Sequence, residues 1–259
     1  MMSCIFILYI AVFQHAAARD VVTTPAQTAS SAQSNSQGSA GTDPVALYAK
    51  RSDLASGRQA AAIWVARLQQ NPRDFASAAW LARVYYWLGG HAPEAERKSL
   101  LEKGIAAGRT AVALEPNRPE GHFWIAANMG MLAESFGLRQ GLKYKGEIRD
   151  ELTTVLRLDP AFQHGSADRA LGRWYYKVPG LFGGSNTKSE EHLRKSLTYG
   201  PGSTTSLYFL AETLIAQKKY QEARDVLQKL KETPGDPDWA PEDREYKAKG
   251  QQLLEGMKK

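Results

Sequence analysis

Prolines punctuate this chain at a nearly constant interval, and that interval decides most of what it can fold into. Pro72, Pro116, Pro160 and Pro201 each follow an apolar residue four positions earlier: Leu68, Val112, Leu156 and Leu197. They are spaced 44, 44 and 41 residues apart, with a shorter step of 33 to Pro234. A proline halts a helix because it lacks an amide hydrogen and its ring clashes with the preceding turn. After each proline the positions i, i+3, i+4 and i+7 repeat one face. These are Trp80, Arg83, Val84 and Trp87, then Trp124, Ala127, Asn128 and Met131, then Asp168, Leu171, Gly172 and Tyr175. That period is helical, and no sustained two-residue alternation competes with it. Repeats of this length predict an all-α solenoid of stacked helical hairpins.

The fourth unit is shifted two residues toward its proline, as Leu207, Leu210, Ala211 and Leu214, and continues through Tyr220, Ala223, Leu227 and Pro234. This order of an early Leu, a small residue, then Tyr, Ala and Pro follows the tetratricopeptide pattern. Gly172 and Ala211 would let the two helices of a hairpin approach closely. Asp43-Pro44 reads as an N-cap with proline at the first helical position, so the repeat domain is expected over 44–259.

Upstream, residues 4–13 form an unbroken apolar run followed by Ala16-Ala17-Ala18. The run is too short to span a bilayer and matches a secretory signal over 1–18, cleaved near Ala18-Arg19, so a periplasmic protein is expected. Residues 19–43 are rich in Ser, Thr, Gln, Ala and Gly without an aromatic residue, which predicts a disordered spacer. The single cysteine, Cys4, falls in the signal, so disulfides, thiolate nucleophiles and cysteine metal sites are excluded from the exported form. The net charge is +6, yet basic residues alternate with acidic ones (Glu96-Arg97-Lys98; Asp243-Arg244-Glu245), which speaks for a solvated surface and against nucleic acid.

No constellation for catalysis stands out. The five histidines form neither HExxH nor a Cys/His set, and there is no GxSxG elbow. His192 reads as surface charge, and Glu242-Asp243 after Pro241 as carboxylates favoured by a helix dipole. The expectation is a non-enzyme without metal or cofactor.

One stretch breaks the helical rhythm: KVPGLFGGSNT, residues 177–187. A phosphate loop would need Gly before Lys188-Ser189, and Thr187 stands there instead. Thr187 and Glu190 read as a capping box starting the next helix. The stretch is then an elongated loop inside a hairpin. It is either a plain turn or, the reading favoured, the lip of a cleft with Leu181 and Phe182 as apolar tips beside Gly183 and Gly184. Two polar residues on the repeat face raise the same choice. Asn128 takes the place of Val84 and Gly172, and Asp168 that of Trp80 and Trp124. Either they pair internally, Asp168 with Arg169 or Arg173, or they line a cleft with Trp124, Arg173, Trp174 and Tyr175. In that cleft Arg173 would suit a carboxylate and the rings an apolar ligand.

Residues 158–197, with Leu158-Asp159-Pro160, Leu171-Gly172, Trp174-Tyr175, Pro179-Gly180 and Gly183-Gly184, resemble the T-component family of TRAP (tripartite ATP-independent periplasmic) transporters. HFWIAANMGMLAESFG, 122–137, is similar to that family's preceding repeat, and the resemblance covers about residues 44–234. It implies a helical periplasmic protein that associates with a solute-binding subunit and holds an apolar ligand in a cleft or pore. Many such proteins look like lipoproteins, and no lipobox is visible here. LGRWYYKV, 171–178, is also similar to the eukaryotic regulators of microtubule dynamics. The alternative function is a general repeat scaffold with a protein partner outside transport. Self-association is left open.

Overall fold

A computed structural model describes residues 43–257; the expected signal and spacer lie outside the described residues, save Asp43. The described residues form α1 (Pro44–Ala49), α2 (Leu54–Gln70), α3 (Phe75–His91), α4 (Glu94–Leu114), α5 (Pro119–Ser135), α6 (Leu138–Leu158), α7 (Phe162–Lys177), α8 (Asn186–Tyr199), α9 (Thr204–Ala216), α10 (Tyr220–Glu232) and α11 (Ala240–Gly256). Among them there is no strand. Each of Pro72, Pro116, Pro160, Pro201 and Pro234 lies just past the end of α2, α4, α6, α8 or α10. The punctuation read from the sequence therefore marks the ends of the second helices of the hairpins.

Side chains satisfy the orphan amides at several helix starts. Asp43 accepts from Val45 N at 3.0 Å, with Pro44 at the first helical position. Asp53 accepts from Ala55 N and Ser56 N, and Asp74 from Ser77 N. The capping box expected at Thr187 is corrected. The cap of α8 is Ser185, which is extended (φ −164°, ψ 118°) and accepts from Lys188 N at 3.3 Å. Thr187 already lies inside the helix, and Glu190 reaches Arg194 and Lys219 instead.

Helices pair as α3–α4, α5–α6, α7–α8 and α9–α10, and the first helices also touch in sequence, α3 to α5 to α7 to α9 to α11. Small residues set the seams. A Cβ on Gly172 would fall 2.5 Å from Leu193 Cγ, so α7 and α8 meet at a distance that only glycine permits. Ala211 is fully buried between α9 and its neighbours. The main core cluster runs through Leu101, Phe123, Met129, Leu132, Leu152 and Leu171. A second gathers Tyr48, Trp64, Val84 and Leu88, and a third Leu193, Leu210, Leu214 and Ala223.

Two features were not expected. Gln163, His164 and Gly165 at the start of α7 are left-handed (φ 45°, 59° and 70°). Left-handed geometry costs a non-glycine residue about 1–2 kcal/mol. It is held by tight packing: a Cβ on Gly165 would sit 2.9 Å from Ser196 O, and one on Gly200 2.6 Å from His164 Cβ. The other feature is closure. The loop after α1 meets the start of α11, where Arg51 Nε donates to Glu242 Oε1 at 3.2 Å and Arg51 Nη2 to Asp238 O at 3.0 Å. Glu242 and Asp243 are thus more than dipole-favoured carboxylates: Asp243, nearly buried, accepts from Thr204 Oγ1 at 2.6 Å and Asp236 N at 2.7 Å.

Candidate functional site

The repeat period places one face of every first helix on the inside of the curve. The closure by α11 turns that concave side into a cavity of about 1050 Å³. Its wall takes residues from α3, α5, α7, α9 and α11, with α6 closing one side. The size is at the upper end for a small-molecule site. Aromatic rings dominate. Tyr86 leans on Trp124 (centroids 5.6 Å), and Tyr246 packs against Tyr208 and Phe209 (5.5 Å each). Trp174 is fixed by Nε1 donating to Lys145 O at 3.1 Å. On α5 the small residues Ala126, Ala127 and Gly130 stand between Trp124 and Met131 on the wall.

Charge on this wall is mostly matched in place. Arg173 holds Glu134 in two hydrogen bonds, 3.0 and 2.9 Å, and Glu212 at 2.6 Å, with its guanidinium 4.5 Å above the Phe209 ring. Burial acts to lower its pKa, but the hydrogen bonds and charge of Glu134, with the charge of Glu212, outweigh that and drive it up. Lys177 adds a contact to Glu134, and Lys249 and His91 hold Glu245 at 2.5 and 3.3 Å. The His91 hydrogen bond, set against burial and helped by Lys249, brings the Glu245 carboxyl down to about 2. Burial raises the Tyr246 phenol well above its ordinary range. Arg169 differs: its polar contact is Ser203 Oγ at 3.5 Å, and burial lowers its pKa despite Tyr246, Tyr86 and Glu242.

Of the residues singled out from sequence, Trp124, Arg173 and Trp174 come together on the cavity wall. The others are elsewhere. Asn128 is fully buried at the α5 seam, donating to Ala82 O at 3.0 Å and Trp124 O at 2.7 Å. Gly104 makes room for it, since a Cβ there would lie 2.1 Å from Asn128 Oδ1. Asp168 is fully buried against α8 and accepts from His192 Nδ1 at 2.7 Å, with Lys195 Nζ 3.5 Å away. This corrects two expectations. Asp168 does not pair with Arg169, the adjacent residue, which points in a different direction on the helix, nor with Arg173, which is held by Glu134 and Glu212. His192 is no free surface charge, since it holds Asp168 and stacks on Tyr175 (5.4 Å, 12° between planes).

The glycine loop sits at the rim. Val178 and Pro179 line the cavity, whereas Leu181, Phe182, Gly183 and Gly184 are not among the lining residues. Residues Gly180–Phe182 make a 3-10 turn. Leu181 is 90% exposed, while Phe182 is half-buried under Lys145 Nζ, 5.4 Å from the ring centre. Gly183 closes the turn at φ 103°, a left-handed position. Gly184 packs so tightly that a Cβ would fall 1.6 Å from Val178 O.

Sequence reasoning missed Ser166, Arg169, Phe209 and Tyr246 as wall residues. A signal for Arg169 existed. The wall set Ala126, Ala127, Gly130, Met131 and Glu134 recurs as Arg169, Ala170, Arg173, Trp174 and Lys177, a spacing of 43 rather than 44. The 44-residue register equates Trp124 with Asp168 and so turns α7 by one residue. In the 43-residue register two arginines replace an alanine and a glycine.

Two family models match the chain: TRAP transporter T-component over residues 122–251, and regulator of microtubule dynamics protein 1-3 over residues 47–182. No curated protein sequence matches. Among solved structures, a thermophilic TPR protein of Thermus thermophilus is 22% identical with a TM-score of 0.61, covering 82% of this chain and 97% of its own. The structure of MamA is 18% identical at TM-score 0.48, covering 77% of this chain and 95% of its own. The Thermus likeness shows a shared tetratricopeptide-type fold. Neither family description names a catalytic activity. Among the described residues no three His, Cys, Asp or Glu side chains cluster as metal ligands, and no helix is long and apolar enough to cross a membrane.

Proposed function

The chain belongs to the TRAP transporter T-component family, sharing its N-terminal repeats with the regulator of microtubule dynamics family, and on that membership we propose that it is a periplasmic adaptor of a TRAP-type solute transport system. In this reading it associates with the solute-binding subunit and holds a small ligand, apolar or carboxylate, in its interior. The observation that carries it is the aromatic-lined cavity of about 1050 Å³. A scaffold that only docked peptides on its concave face would keep that face open, whereas here Arg51 and Glu242 join the ends of the curve. The apolar run at 4–13 supports export.

The test is direct association. The full-length protein is titrated by calorimetry with the solute-binding subunit of a TRAP-type transporter from the same organism. A stoichiometric complex is expected. No heat and no co-elution, with the helical fold intact by circular dichroism, would remove the adaptor role. The second reading, a general tetratricopeptide scaffold, draws support from the match to the microtubule-regulator family over 47–182. Association with a protein outside transport, and none with the solute-binding subunit, would select it.

A further inference from the structure

We propose that the cavity ligand is an amphipathic monocarboxylate, its head group held by Arg169 beside Ser166 and its apolar chain laid along Trp124, Met131 and Trp174. This rests on the reading of the cavity as a ligand site and adds the chemical class and the anchor.

The cations of the wall separate into matched and unmatched. Arg173 is matched by Glu134 and Glu212, Lys177 by Glu134, and Lys249 by Glu245. Lys145 lies over Phe182 and reaches that residue's carbonyl oxygen at 3.4 Å. Neither Lys145 nor Arg169 has an ion pair among the described residues; the Lys145 ammonium is turned to Phe182 of the loop, whereas Arg169 has Ser203 Oγ at 3.5 Å, a weak substitute. A guanidinium facing an aromatic interior without a counter-charge is costly unless an anion completes it.

A second group points the same way. Ser166 lies one helical turn before Arg169, lines the cavity, and has a buried hydroxyl without a hydrogen-bond partner. Residues three apart share a helix face, so an oxygen acceptor placed at Arg169 is near this donor. Gln163, three residues earlier, also lines the cavity and has a buried carboxamide oxygen without a partner. It stands in the left-handed segment that opens α7, and strained backbone of this kind tends to collect at ligand sites. Ser166 and Arg169 on one face of α7, with Gln163 in the left-handed segment before them, thus present under-used polar groups to the cavity.

The same geometry selects the ligand's charge and shape. The guanidinium fork fits a carboxylate in two parallel hydrogen bonds. The single positive charge of Arg169 balances one negative charge; a dianion would leave a surplus facing Glu242 and Glu245, both on the wall. The Tyr246 phenol, kept protonated by burial, remains a neutral donor on that side. Beyond the head group, Trp124, Met131 and Trp174 offer apolar contact but no charge, which suits a hydrocarbon chain.

The probes are dodecanoate and dodecanol, which share a chain and differ in head group, titrated by calorimetry into the full-length protein and its Arg169→Gln variant. The wild type is expected to bind dodecanoate at least about tenfold more tightly than dodecanol, a difference of ~1.4 kcal/mol. Arg169→Gln is expected to erase that preference, with the larger loss on dodecanoate. Equal affinity of the wild type for the two probes would overturn the anchor and leave the cavity as an apolar site. A retained preference in a folded Arg169→Gln variant would overturn it too. Binding of neither probe would overturn the cavity reading and this inference together. The wild-type comparison stands even where the variant fails to fold.

Discussion

Arg51 and Glu242, 191 residues apart in the chain, form an ion pair, Arg51 buried and Glu242 half-buried, that fastens the loop after α1 to the first turn of α11. Arg51 is 1% exposed. Its guanidinium also lies 4.6 Å from the Tyr48 ring and 5.2 Å from Trp87, whose Nε1 donates to Arg51 O at 2.8 Å. Arg244 Nη2 donating to Ser52 Oγ at 3.0 Å and His91 facing Glu245 add polar links along the same junction. A repeat stack whose units touch only neighbours stays open-ended. This one is tied across its ends, and residues of the junction, Tyr48 and Glu242 among them, line the cavity.

Removing one partner of that pair leaves a buried charge uncompensated, which costs about 3–5 kcal/mol. Glu242→Ala is therefore expected to lower stability by that order in urea denaturation. A loss below about 1 kcal/mol, the range of an exposed pair, would mean that the junction holds without it.

Acid should loosen the junction as well. The Glu245 carboxyl is held at about 2 against an ordinary 4.5, first by the His91 hydrogen bond and then by Lys249, with burial opposing. A depressed carboxylate contributes stability that is complete above its unfolded pKa and is lost as pH falls through the folded one. The window is pH 4.5 down to about 2. Stability of the wild type is expected to fall across it, and Glu245→Gln to fall less. Parallel curves for the two proteins would show that the contact carries no acid sensitivity.

The repeat was legible because proline position and helical period act locally: Leu68/Pro72 through Leu197/Pro201 mark helix ends whatever surrounds them. Gly172 was legible for the same reason, as a small residue at a seam. The site was only partly so. Trp124, Arg173 and Trp174 were placed together, but Asp168 and Asn128 were grouped with them by a register that slips by one residue in α7. That slip follows three left-handed residues, two of them not glycine, which no pattern announces. The closure was hidden by its range. Arg51 and Glu242 each look ordinary in sequence, and nothing local tells that they meet.

The glycine loop offers a contrast within a few residues of chain. A Cβ on Gly184 would meet the Val178 carbonyl at 1.6 Å, while one on Gly180 would meet nothing within 4 Å. The obstacle at Gly184 is backbone, so the loop must shift and lose the Gly184 N to Pro179 O and Ser185 N to Tyr175 O hydrogen bonds. Gly184→Ala is expected to destabilise by about 1–3 kcal/mol, and Gly180→Ala to change stability by under about 0.5 kcal/mol. Thermal unfolding of the two variants checks the order; equal effects would mean that the loop has no fixed conformation.

The two apolar residues of that loop are expected to separate by role. Phe182 is half-buried beneath Lys145, so Phe182→Ser should cost about 1 kcal/mol, roughly half the value of full burial. Leu181 is 90% exposed and touches little, so Leu181→Ser should leave the melting curve within about 0.5 kcal/mol of wild type. An exposed leucine held up on a 3-10 turn at the cavity rim is available to a partner, and burying it in an interface would contribute about 1.5–3 kcal/mol. If the solute-binding subunit docks at this rim, Leu181→Ser weakens the complex about tenfold or more with no loss of fold. Calorimetric titration of the subunit into wild type and variant reads this directly. Equal affinities would place the docking surface away from the loop, and Leu181 would then be the tip of a turn and no more.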